Sequence, residues 1–294
     1  MKKIAIVLML LFVGFYPVKS SAQKTITWPE VDFPPYDIQS GPDKDKGILN
    51  EILIIIQQGL SEYQHERGDL INFNRMWKLL QQGEKICYPG VMRSRNTESI
   101  GHLSVPVGVA PYIPSFVFII KKDKSHLFEN QSVLSLKDVL KKSNLHLGIA
   151  SRGYGSRINA ILDKQKGESH IHVRSGSGNF SALMEMLFKD RLDYVLGYSH
   201  EAVYQAKLMN RENEISIINI TETAGDVIVG RVICPKTDWG RKIIKKSNAF
   251  LKKKQSIQKI RDIVLKWVNP KLREDFRKKF DDVITTDTWT SVDQ

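Results

Sequence analysis

Apolar residues in this chain fall into short runs that alternate with helix-length amphipathic stretches. Residues 26–28 form a short apolar run, and residues 48–60 form an apolar segment long enough for a helix. Residues 70–74 read as a second strand, 77–82 as a short helix stopped at Gly83, and 84–88 as a third strand broken by Pro89-Gly90. Residues 115–120 are β-branched and aromatic, the composition of a strong strand. The charged stretch KKDKSH that follows marks the exit from one lobe into another. Beyond it, strands at 145–150, 171–174, 192–197 and 215–220 alternate with helices at 157–164, around 180–188, and from Ser199 to 208. Ser135 with Asp138 makes a helix start close to a capping box, and Ser199 is expected to cap another. A returning strand at 227–233 precedes helices at 236–254, 256–268 and 272–280, and the last residues read as a tail. Such alternation predicts an α/β protein with parallel sheets flanked by helices.

Between the first strand and first helix lies an aromatic, proline-rich loop containing Trp28, Pro29, Phe33, Pro34, Pro35 and Tyr36. Each proline fixes its own φ and pushes the preceding residue towards an extended conformation, so Phe33 and Tyr36 are held stiffly. Open α/β sheets bind ligands at the carboxyl ends of their strands, where this loop falls. A surface loop plugged by hydrophobic side chains would carry the same residues.

The 294 residues suffice for one large or two medium domains. The start has Lys2 and Lys3, an apolar core over residues 4–15, then Ser20-Ser21-Ala22. That is the layout of a secretory signal peptide over residues 1–22, and the apolar run is short for a membrane span. The formal charge is +12, and the three lysines of this leader leave +9 beyond it. Residues 236–279 hold 16 Lys and Arg against 4 Asp and Glu, which accounts for that excess. These charges are interleaved with apolar residues at helical spacing, so they read as a solvated helix face rather than a nucleic-acid surface. The two cysteines, Cys87 and Cys234, lie in apolar surroundings, where a disulfide or two buried thiols would both fit.

The two strand-to-helix turns SRGYGS and SGSGN are the most informative chemical feature. Gly153 and Gly155 free the backbone to approach a ligand, Ser151 and Ser156 offer hydroxyls, and the following helix points its N–H groups at the same place. Neither turn fits a dinucleotide or phosphate-loop pattern. No catalytic constellation stands out. Ser156 lacks the second flanking glycine of a nucleophile elbow, and His170 and His172, expected to share a strand face, have too few companions for a metal site.

Several stretches in order resemble the family 3 extracellular solute-binding proteins, which have the type II periplasmic binding-protein fold. They are the PPY of residues 34–36 followed by Gly47 and an apolar helix, NFNRMWKLLQQGEKIC, MRSRNTESIGHLSVP, SLKDVLKKSNLHLGIASRGYGS, ALMEMLFKDRLDYVLGY and CPKTDWGRKIIKKSN. Within that family the chain resembles a subgroup of transporter-type proteins of undefined ligand, which also carry a cysteine where Cys87 sits. The resemblance implies two lobes, the first discontinuous over 23–118 and 226–294 and the second over 119–225, with ligand caught between them by hinge closure. It implies ligand contacts from Trp28, Phe33 or Tyr36 in the first loop, from Phe73, from Ser104, from Ser151, Arg152, Tyr154 and Ser156 in the first Gly-rich turn, and from Tyr198.

Two departures stand out. The family's carboxylate-gripping arginine falls on Thr97, with Arg93 and Arg95 just upstream as substitutes, and its amino-group acid falls near Tyr198. The expected protein is a periplasmic monomer that binds a small polar or anionic solute for a transporter permease or a sensor, without cofactor, metal or nucleic acid. The rival is an enzyme of the same fold resembling cyclohexadienyl dehydratases, which needs a general acid from Glu30, Asp32, Asp37 or Glu98.

Overall fold

The computed structural model describes residues 24–109, 116–176, 178–223, 228–268, 270 and 273–286. The expected signal peptide and residues 287–294 of the expected tail lie outside the described residues.

The first strand, β1 (Thr25–Glu30), pairs in parallel with β2 (Gln64–Leu70), after helix α1 (Ile48–Gln58). Thr27 bridges Ile86 in parallel on the other side, which sets β1 beside β3 (Tyr88–Val91). Strand β11 (Val229–Pro235) lies antiparallel between β3 and β4 (Gly101–Val109). Thus β2, β1, β3 and β4 run one way and β11 returns against them. Helices α2 (Phe73–Gln81), α3 (Arg95–Ile100), α8 (Asp238–Leu251), α9 (Lys254–Lys266) and α10 (Arg273–Thr286) complete this lobe.

The other sheet has six strands in the order β6 (Val133–Leu134), β10 (Ile215–Ile220), β5 (Val117–Lys121), β9 (Tyr194–Gly197), β7 (Leu147–Ala150) and β8 (Ile171–Arg174). All run parallel except β5, which is antiparallel to both neighbours. Helices α4 (Leu136–Leu140), α5 (Ser156–Asp163), α6 (Asn179–Phe188) and α7 (Ser199–Leu208) connect its strands. In each lobe the antiparallel strand, β5 or β11, is the first that the chain forms after crossing from the other lobe.

The sequence expectations need five corrections here. The chain has entered the second lobe by β5, so the charged stretch KKDKSH follows the crossing and does not mark it. The second strand is β2, not 70–74; its polar residues Gln64, Glu66 and Asp69 face solvent on an edge and carry no apolar alternation. Strand β3 runs through Pro89-Gly90 rather than breaking there. Two of its residues face one residue of β11 between the Val91–Arg231 and Tyr88–Ile233 pairs, so a bulge absorbs the proline. Ser199 is the first residue of α7; the cap position is Tyr198 and no side chain caps it. His170 is buried rather than part of an exposed polar face, and His172 meets His146, ring nitrogens 3.0 Å apart. Ser135 does cap α4, its Oγ accepting from the Asp138 N–H at 3.4 Å.

Cys87 and Cys234 are joined by a disulfide, with Cα atoms 4.4 Å apart. Both sulfurs lie in the core that α1, α8 and α9 make against β1 and β11, with Ile26, Ile52, Ile56, Ile243 and Val264. The basic helices keep their charges outward: Lys246 pairs with Glu62, Lys266 with Glu51, and Arg261 with Asp281 at 2.8 Å.

The aromatic loop is braced by Asp37. Its carboxylate accepts from Gln39 Nε2 at 2.6 Å, Asn50 Nδ2 at 2.7 Å, the Val31 N–H at 3.3 Å and the Tyr88 hydroxyl at 3.5 Å, while the Phe33 N–H donates to its carbonyl at 2.8 Å. Burial raises the Asp37 carboxyl from 3.8 to about 6. The folded state therefore holds this proton more tightly than the unfolded chain, and the associated stability is complete below pH 4 and lost as pH rises through 6. The full effect is about 3 kcal/mol from a two-unit shift. His200, pushed down to about 3 by burial, acts oppositely across the same window. The measurement is therefore a difference: unfolding free energy of wild type minus Asp37→Asn should fall between pH 4 and pH 6.5, and a flat difference would refute the assignment.

Candidate functional site

A cavity of about 540 Å³ lies between the lobes. From the first lobe it is walled by Phe33 and Tyr36 of the loop, Ile48, Leu49 and Ile52 of α1, Phe73 and Trp77 of α2, and the turn carrying Arg93, Ser94, Arg95, Asn96 and Thr97. The floor is Val107 and Gly108 of β4, Gly230 of β11 and Val264 of α9. The second lobe supplies Arg152, Gly153, Gly155, Ser156, Asn159 and Tyr198.

Local sequence explains each wall. Asn72 caps α2 by accepting from the Arg75 N–H at 2.9 Å, which starts the helix at Phe73 and turns Phe73 and Trp77, stacked at 6.3 Å, to one side. Ser94 and Thr97 cap α3 reciprocally: the Thr97 N–H donates to Ser94 Oγ at 3.1 Å and the Ser94 N–H to Thr97 Oγ1 at 2.8 Å. The position where the resemblance puts a gripping arginine is thus a buried capping threonine. Arg93 and Arg95 flank it on the cavity wall; both are exposed, and Arg93 Nε donates to Glu98 at 2.6 Å. In the SRGYGS turn, Gly155 has φ +79°, a left-handed conformation that a side chain would strain, and it places Ser156 at the first turn of α5.

The most heavily buried chemistry is an ion pair. Arg152 donates from Nη1 and Nη2 to the two carboxylate oxygens of Glu201 at 2.9 and 2.7 Å, and the side chains are only 7% and 2% exposed. The guanidinium carbon lies 5.0–5.5 Å from the ring centres of Phe33, Tyr154, Phe180 and Tyr198. Three of those rings belong to the second lobe and Phe33 to the first, so this pair is also an interlobe contact. Glu201, with desolvation opposing and Arg152 favouring its charge, holds Arg152 firmly protonated. Around it the aromatics continue: Phe33 stacks on Tyr36 at 4.9 Å, and Tyr36 meets Tyr198 and His200 edge-on at 6.1 and 4.9 Å. Across the cleft Asn74 Nδ2 donates to Ser151 Oγ at 3.4 Å, and the Tyr204 hydroxyl to Asp43 at 3.3 Å.

Of the residues expected from sequence, Phe33, Tyr36, Phe73, Arg93, Arg95, Arg152, Ser156 and Tyr198 line the cavity, and Ser151 lines a small adjoining recess. Three lie elsewhere. Trp28 is in the first lobe's core, its Nε1 donating to His65 at 3.1 Å. Ser104 is buried between β4 and β11, accepting from the Val232 N–H at 2.9 Å. Tyr154 turns into the second lobe's core, its hydroxyl donating to the Ala150 carbonyl at 3.1 Å. None of Glu30, Asp32, Asp37 or Glu98 lines the cavity. Glu201 and the floor residues Val107, Gly108, Gly230 and Val264 were not singled out. The signal for Glu201 was present: it sits three residues past the position where the resemblance puts an acid.

No family model matches the chain, and no curated protein matches it in sequence. In structure it is similar to the two-lobed periplasmic binding proteins, and its fold is theirs. An ancestral arginine-binding protein bound to arginine superposes with a TM-score of 0.63 at 19% identity, over 84% of this chain and 99% of that one. The arginine-, lysine-, histidine-binding protein ArtJ from Geobacillus stearothermophilus matches at 0.61 and 17% identity, over 86% and 99%. A histidine kinase sensor domain with similarity to periplasmic binding proteins matches at 0.63 and 12% identity, over 84% and 98%.

Proposed function

We propose that this chain is an exported solute-binding protein that captures a small polar or anionic solute between its lobes by hinge closure. The observation that carries this reading is the 540 Å³ cavity walled by both lobes. Solute filling it touches both jaws, gains contacts only when they are shut, and so shifts the population towards the closed state. One jaw is built from β1 to β4 together with β11 and the helices after it, and the other from β5 to β10 with the helices between them. The chain acts as a monomer in the periplasm after removal of residues 1–22, and passes its state or its cargo to a membrane transporter or sensor. Structural neighbours described as substrate-binding proteins of amino acid ABC transporters, and another described as a histidine kinase sensor domain, support both destinations.

A melting-temperature screen of amino acids, short peptides, organic acids and sugars tests this. A specific solute at 100 times its Kd should stabilise by about 2.7 kcal/mol. Silence across the panel contradicts solute capture. For a carboxylate hit, Arg95→Ala or Arg93→Ala should weaken binding at least about tenfold, the loss of one charge-assisted bond. If neither does, the arginine assignment fails.

A further inference from the structure

We propose that the solute is a lipophilic carboxylate, with its anionic head at Arg93 and Arg95 and its apolar body running into the first lobe towards Gly108 and Gly230. This rests on the solute-capture reading above. Three observations point the same way.

The first is charge. Among the described residues lining the cavity there are three arginines and no carboxylate. Two of these arginines meet acids outside the lining, Arg152 through both oxygens of Glu201 and Arg93 through its Nε to Glu98. An ammonium group brought into this space would be desolvated without a counter-charge, a costly arrangement, whereas a carboxylate meets guanidinium groups. The second is the wall beyond the arginines. Ile48, Leu49, Ile52, Val91 and Val264 line the cavity with aliphatic side chains. A lipophilic body fills that space without leaving a buried polar group unpaired.

The third is the floor. Gly108 and Gly230 are direct partners across the β4–β11 pairing. A Cβ at Gly108 would stand 3.5 Å from Ile52 Cδ1 and 3.9 Å from Val264 Cγ2, and one at Gly230 would come no nearer than 3.8 Å to Val107. Those are ordinary contacts, and neither glycine has a positive φ. Neither close packing nor backbone conformation demands glycine at this pair. What the two missing side chains leave is space, walled by Ile52, Val107 and Val264 and continuous with the cleft.

Calorimetric titration of the purified protein with straight-chain acids from butanoate to decanoate, with phenylalkanoates, and with 2-aminooctanoate tests the assignment. Affinity should rise roughly fourfold per methylene until the space is filled, the gain expected for burying one CH₂. Octanoate should bind at least about tenfold more tightly than 2-aminooctanoate, which carries the same body plus an unpaired ammonium. A steeper rise among phenylalkanoates supports the assignment and identifies the body as aromatic. Gly108→Val should abolish the chain-length gain while the melting temperature is kept, and Gly230→Val provides an independent second variant. A chain-length gain unchanged in both variants overturns the placement of the body. Binding of α-amino acids without binding of their deaminated counterparts overturns the lipophilic acid but leaves solute capture intact. No heat with any of these acids, together with silence in the melting-temperature screen, overturns both.

Discussion

Glu201→Ala should lower the unfolding free energy by about 3–5 kcal/mol, the cost of leaving one member of a buried ion pair without its partner. Arg152 would then hold a charge among Phe33, Tyr154, Phe180 and Tyr198 with no carboxylate to meet it. Arg152→Ala should cost a similar amount for the opposite reason, since Glu201 is almost fully buried. The informative variant is the double replacement Arg152→Met with Glu201→Leu. It removes both desolvated charges and keeps the volume, so it should recover most of the loss or exceed wild-type stability. Urea unfolding of the three variants checks this. Equal, additive losses in the singles and the double would mean that the pair contributes through packing alone. The guanidinium also sits against Phe33 of the other lobe, so under the proposed hinge closure the double variant should shift the free protein towards the open form even where stability is restored.

Removing the disulfide should cost about 2–5 kcal/mol, with the upper figure set by the length of the loop it closes. The bridge spans 147 residues, from Cys87 just before β3 to Cys234 in β11, and the whole second lobe lies inside that span. The unfolded chain therefore loses much conformational freedom while the folded first lobe keeps its insert pinned at the base. The check is the urea midpoint of Cys87→Ala with Cys234→Ala against the oxidised protein. An unchanged midpoint would show that packing of Ile233 and Val232 in β11 holds the return strand without help from the bridge.

Much of the fold was legible because its buried strands are short apolar runs. The strands at 171–174 and 215–220 match β8 and β10 residue for residue, and the Ser135–Asp138 start of α4 was readable from its capping pattern. What was not legible had a physical cause in each case. Strand β2 is a polar edge, and β4 carries Gly101, Pro106 and Gly108 within its run, so neither shows the period that buried strands show. At the site, the aromatic loop and the SRGYGS turn were visible as local motifs. The Arg152–Glu201 pair was not, because its members are 49 residues apart and meet only when β7 and β9 align. The cavity floor was hidden for the same reason: Ile52, Gly108, Gly230 and Val264 belong to four different elements, and glycine at 108 and 230 reads locally as a turn or a weak strand. Trp28 and Tyr154 show the converse. An aromatic residue in a ligand-loop motif is as easily turned into the core, and only the backbone direction decides which.

The central claim, closure of two jaws on a solute, is tested most directly by a distance measured across the cleft. Among the described residues no cysteine is free, so nitroxide labels can be placed on Lys78→Cys in α2 and Lys164→Cys just beyond α5, both exposed. Pulsed electron resonance should show a broad distance distribution in the free protein that collapses to its short component on saturation with the panel solute that raises the melting temperature most. A distribution that stays the same while that solute is bound would contradict the account.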